Sequence, residues 1–129
     1  MAELRVLGEI DESVLEVEFG TLQSTEVIVT EERIKHIRER HPQDVELFES
    51  YGPYLVTEPD IIIKDTKNEG TVFMVKYLSD CNINEVVRLA LETEDEDLKN
   101  SVMTFYRIRT KNLVKMLRKN KEIYRKEII

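Results

Sequence analysis

The chain is poor in several residue types, and each shortage removes a class of protein. Cys81 is the only cysteine, so no intrachain disulfide can form, and two histidines, His36 and His41, are too few for a structural zinc set. A Gly-rich phosphate loop, a nucleophile elbow and an HExxH pair are all missing. P-loop hydrolases, α/β-hydrolases and zincins are therefore excluded. No apolar run is longer than about four residues, so neither a signal peptide nor a membrane span is expected. Repeats and low-complexity tracts are also absent. A reducing, cytoplasmic setting is expected. The length fits a single domain, residues 1–129, because roughly 100 to 200 residues build one core.

What is present is a core-forming share of hydrophobic residues, 41%, beside 35% charged residues and a net charge of −7. Such an acidic average argues against indiscriminate coating of nucleic acid, which depends on Lys and Arg neutralising phosphates. The charge is unevenly spread, however. Nine basic residues lie between Arg107 and Lys126 against one acid, Glu122, a balance of +8, while the remaining ten basic and 25 acidic residues leave the rest of the chain at −15.

Local patterns predict an α+β fold. Leu15, Val17 and Phe19 alternate with Glu16 and Glu18 like a half-buried strand, and Arg5 to Ile10 reads as its partner in an N-terminal β-hairpin extension over 1–25. Val27 to Val29 leads to Thr30, an N-cap before Glu31 and Glu32, and Pro42 should end that helix at His41. A second short helix is expected from Asp44 to Tyr51, closed by Gly52 and Pro53. Strands are expected at Ile61 to Asp65, Thr71 to Leu78, Glu85 to Glu92 and Val102 to Ile108, a four-stranded antiparallel meander. Links are read at Ser79 to Asn84 and at an acidic loop, Thr93 to Asn100. From Thr110 the period turns helical: Leu113, Met116, Leu117, Asn120 and Tyr124 share a stripe opposite Lys111, Lys115, Arg118, Lys119, Arg125 and Lys126, a C-terminal helix with a basic side.

Alternation assigns Phe73, Val75, Tyr77, Val87, Leu89, Leu91, Met103 and Phe105 to a helix-covered face, and Lys76, Arg88, Thr104 and Tyr106 to an open one. One cation or hydroxyl per strand on a shared face could form a phosphate pocket. Arg88 stands out inside the apolar Val86 to Leu91, where it needs a partner or a purpose. An ion pair with a nearby acid is the competing explanation. Taking about 100° per residue, His41 continues the buried stripe of Ile34 and Ile37, whereas His36 falls among Arg33 and Arg40 on the wetter side. The five-residue spacing does not bring both rings to one metal. The acidic loop lacks the pattern and glycine of a calcium site.

The ordered set Ile34-Lys35-His36-Ile37-Arg38-Glu39-Arg40-His41-Pro42, Glu58-Pro59-Asp60-Ile61-Ile62, Val87-Arg88-Leu89 and Asn100-Ser101-Val102-Met103-Thr104-Phe105-Tyr106 resembles the phage-associated barnase/EndoU/colicin/RelE-like (BECR-fold) nucleases, over about 27–126. The resemblance implies N-terminal helices followed by a four-stranded antiparallel meander. It also implies metal-independent, cofactor-free RNA cleavage of prophage or mobile-element, toxin-like type. Carried over by position, it points to His41, His36, Arg88 and Thr104 as catalytic candidates and to the Ser101 hydroxyl on the last strand as a substrate-binding one. Lys76 and Tyr106 join as substrate-binding candidates from their facing. The expected partner is RNA, with tRNA a candidate, and an immunity or phage protein could be a second. A noncatalytic RNA- or protein-binding module on the same fold, or a phage accessory scaffold, are the alternatives, since fold does not fix function.

Overall fold

The structure, a computed structural model, describes residues 4–91, 94 and 98–127. Four α-helices and one seven-stranded sheet are found among them, so the α+β class holds, but the sheet is larger than a four-stranded meander. Its order is β1-β2-β6-β5-β4-β3-β7. The meander is its centre: β3 (Ile61–Lys64), β4 (Thr71–Tyr77), β5 (Asn82–Arg88) and β6 (Asn100–Ile108) pair antiparallel in sequence. β2 (Glu26–Thr30) adds parallel to β6, β1 (Leu4–Glu9) adds outside β2, and β7 (Lys121–Arg125) pairs with β3.

Two segments differ from the sequence expectation. The stretch read as the second strand of an N-terminal hairpin is α1 (Glu12–Phe19), so β1 pairs with β2 instead. Asp11 caps this helix by accepting from the Ser13 N–H, and Gly20 ends it. Alternation misled because Leu15 is fully buried while Val17 is 90% exposed, which is helical spacing, not a strand face. The terminal helix is also shorter than expected. α4 (Thr110–Lys119) stops where the Asn120 side chain accepts from the Thr66 N–H, and the next five residues complete the free edge of β3 as a strand. Tyr124, Arg125 and Lys126 are therefore not on the helix.

The remaining helices follow their caps. α2 (Glu31–Arg40) begins where the Thr30 hydroxyl accepts from the Arg33 N–H and ends before Pro42. It buries Ile34 and Ile37, each contributing about 2 kcal/mol. A 3₁₀ turn, Pro42–Asp44, leads into α3 (Val45–Thr57). α3 does not close at Gly52 and Pro53 as expected, because continuing to Thr57 buries Leu55 and Val56. Gly52 is needed for closeness: a Cβ there would lie 3.2 Å from the Phe48 ring and 3.4 Å from Glu85 Oε1.

Both sheet faces are covered, which corrects the expected split into one apolar and one open face. α1, α2 and α3 pack on Val72, Met74, Ile83, Val87, Val102 and Phe105, whereas α4 packs on Ile61, Ile63, Val75 and Ile108. Phe73 and Val75 thus lie opposite Val87 and Phe105, because strands buried on both sides lose the contrast that alternation relies on. Strand β5 starts three residues earlier than expected and ends at Arg88; Glu92, the expected end, and 93 and 95–97 of the acidic loop lie outside the described residues. Glu85, in mid-strand, is fully buried against α3 with no hydrogen-bond partner among the described residues, and burial raises its carboxyl well above the usual carboxylate range.

Candidate active site

The β5–β6 pair carries most of the candidate residues, and its register sets how far apart they stand. Asn84 faces Tyr106, Val86 faces Thr104, and Arg88 faces Ser101. Four residues at roughly 3.3 Å each separate the two ends by about 13 Å. Beyond Ser101, β2 no longer pairs with β6, and α2 with the 3₁₀ turn takes over that edge. The Arg33 guanidinium reaches the Met103 carbonyl at 3.5 Å, and Asp44, only 3% exposed, accepts from the Arg107 N–H at 3.2 Å and from Arg107 Nε at 2.6 Å. This docking carries the end of α2 to the last turns of β6. His41 caps α2 by donating its N–H to the Ile37 carbonyl, and its own carbonyl accepts from the Asp44 N–H.

The His41 ring consequently stacks on the Tyr106 ring, with centroids 5.4 Å apart and planes at 29°. Beneath the stack, Asn84 Nδ2 donates to the Tyr106 hydroxyl at 3.0 Å. Both rings open onto a cleft of about 760 Å³, whose wall also includes Asp80, Arg107, Arg109 and Thr110. Arg109 has no ion pair among the described residues, and Arg107 keeps 47% of its side chain exposed although Asp44 holds it. The cleft therefore offers an imidazole, a phenol and two guanidiniums, a set suited to moving a proton beside a phosphate. Cys81 lines the same cleft, but burial and the Asp80 charge push its thiol up, which keeps it protonated and a poor nucleophile.

The other candidates lie elsewhere. Arg88 sits at the far end of the pair, where Glu94 takes its two amino groups, one at 3.2 Å, and the Leu89 carbonyl accepts from it as well. Hydrogen bonds from the Leu91 N–H and from Arg88 hold the Glu94 carboxyl below its ordinary range. Gly70, at φ +76°, leaves the room that guanidinium occupies. Ser101 shares that end, and Thr104 stands between the ends with its hydroxyl oxygen buried and without a hydrogen-bond partner among the described residues. Lys76 does not share their face: it pairs with Ile83 on the side of α1 to α3 and donates to the Glu58 carbonyl at 2.9 Å, near Asp60. His36 is half-buried on α2 and does not line the cleft. The structure thus brings His41 and Tyr106 together and leaves His36, Arg88, Thr104, Ser101 and Lys76 outside the cleft wall. Sequence reading did not single out Asn84, Asp44, Arg107 or Arg109 as site residues. An asparagine inside Ile83 to Val87 was a usable sign, hidden because 79–84 reads as a link.

A meander sheet whose tyrosine stacks under a helix-end histidine at a cation-rimmed cleft has the make-up of a small nuclease. Residues 2–125 match the family model described as phage-Barnase-EndoU-ColicinE5/D-RelE like nuclease 2, and the chain belongs to that family. The match includes the N-terminal segment that the resemblance over 27–126 left out. No curated protein and no solved structure matches the chain.

Proposed function

We propose that this nuclease cuts RNA by transesterification through the ribose 2′-OH, at the cleft holding His41 and Tyr106. The observation that carries the reading is the His41–Tyr106 stack on a cleft whose Arg109 is unpaired among the described residues. His41 is the imidazole on the cleft wall, and it takes the 2′-OH proton. The 2′ oxygen forms its bond to phosphorus as the bond from phosphorus to the 5′ oxygen breaks. That oxygen takes a proton from solvent at the open cleft mouth, leaving a 2′,3′-cyclic phosphate and a 5′-OH. Arg107 and Arg109 hold the charge on the nonbridging oxygens, and the Tyr106 hydroxyl donates to the same phosphate. No metal is required when two guanidiniums carry that charge.

The long-range field has a related shape. α4 starts at the cleft and carries Lys111, Lys115, Arg118 and Lys119 outward on exposed positions, whereas Lys121 and Arg125 are matched by Glu18 and Glu122. An acidic body with one basic approach disfavours nonspecific binding and steers a polyanion to the cleft. Incubation with an oligoribonucleotide in EDTA tests the reading. Cyclic-phosphate ends, lost when the scissile ribose is 2′-deoxy, are expected; cutting of the deoxy substrate, or retarded but intact RNA, contradicts it.

A further inference from the structure

Asn84 is fully buried in the middle of β5, on the α4 side of the sheet, between Val75 of β4 and Tyr106 of β6. An amide there makes poor sense as packing. Its Nδ2 has one partner, the Tyr106 hydroxyl at 3.0 Å, and its Oδ1 has none among the described residues. Burying an amide whose carbonyl stays unbonded is unfavourable, and an aliphatic side chain would fill the space without that cost. What an aliphatic chain cannot supply is a donor to the phenol.

We infer that Asn84 is a positioning residue for the cleft: its amide donates to the Tyr106 oxygen, fixes the ring beneath His41, and leaves the phenolic O–H free to donate a hydrogen bond to the bound phosphate. The direction of that bond carries the argument. A phenol oxygen that accepts from a buried amide must direct its own proton elsewhere, and the remaining polar direction is the cleft that Tyr106 lines. Since His41 stacks on the same ring, Asn84 holds two cleft side chains through one hydrogen bond. This rests on the proposed RNA cleavage for its chemistry, but its geometry does not.

Two readings separate the claims. With Asn84→Leu, kcat on RNA is expected to fall about tenfold, the worth of one hydrogen bond, with KM within about twofold of wild type. In a Tyr106→Phe background the same substitution changes kcat by less than about twofold, because its route is gone. Losses that multiply in that background overturn the inference, and so does full activity of Asn84→Leu. The second reading needs no activity. The His41 ring proton resonances, shifted by the Tyr106 ring, should move in Asn84→Leu as that ring loosens, and unchanged resonances overturn the inference. Wild-type protein that leaves RNA uncut refutes the proposed function alone, since the resonances still decide the role of Asn84. Should Asn84→Leu not fold, Asn84→Ala is read the same way.

Discussion

The two ends of the β5–β6 pair are built from the same residue types and finished differently. At one end Asn100 is fully buried and fully used: its Oδ1 accepts from the Ala90 N–H at 2.8 Å, and its Nδ2 donates to the Ser24 and Glu26 carbonyls. Arg88 beside it is closed off by Glu94. At the other end Asn84 makes one hydrogen bond, to a side chain, and Arg109 has no acid partner among the described residues. Satisfied polar groups specify a fold, whereas groups left with spare capacity around a cleft are available to a ligand. The proposed site therefore lies away from Arg88, the arginine most conspicuous in the sequence.

Substitutions at the two ends should therefore fail in different ways. The largest effect is expected at the open end: His41→Ala lowers RNA cleavage by about 10²- to 10⁴-fold while thermal unfolding stays near wild type, as kinetics and calorimetry on the same sample would show. At the closed end Asn100→Ala should cost about 3 kcal/mol in denaturant unfolding, because three backbone groups lose their partner. Its folded fraction should retain the wild-type rate. If Asn100→Ala instead left stability intact and removed activity, the two ends would have been assigned the wrong way round.

Glu85 refines the contrast, since it neighbours Asn84 on the same strand but faces α3. The native state keeps a proton on this carboxyl that the unfolded chain gives up above the ordinary carboxylate range. Stability contributed by that proton is present at low pH and lost as pH rises. Melting curves from about pH 5 to about pH 8 should show wild type losing stability and Glu85→Gln losing less; parallel curves would mean Glu85 is not held neutral. The smallest effect is expected for Arg88→Ala. Its part-exposed ion pair with Glu94 is worth about 1 kcal/mol at most, and the cleavage rate should stay within about threefold.

Local chemistry was legible in the sequence where one residue decides it. Thr30 and Pro42 mark α2, and helical phase separates His41 from His36. The meander could be read because turn residues divide its strands. The rest depends on pairing. Residues 121–125 become a strand only because β3 offers a free edge, and the second face of the sheet becomes apolar only because α4 folds back on it. Lys76 and Arg88 looked like neighbours of Tyr106 by parity alone, until register put one on the opposite face and the other at the opposite end. Asp44 could not be found at all from local sequence, because its role is to accept from the edge of a strand 63 residues away.

The most direct test of the open-end site does not depend on turnover. A 2′-deoxy oligonucleotide, which binds without being cut, can be titrated into isotope-labelled protein while amide and ring resonances are followed. The account predicts that shifts concentrate at His41, Tyr106, Arg107, Arg109 and Thr110, with Arg88, Ser101 and Gly70 unmoved. Shifts centred on Arg88 and Ser101 instead, with His41 and Tyr106 silent, would contradict it.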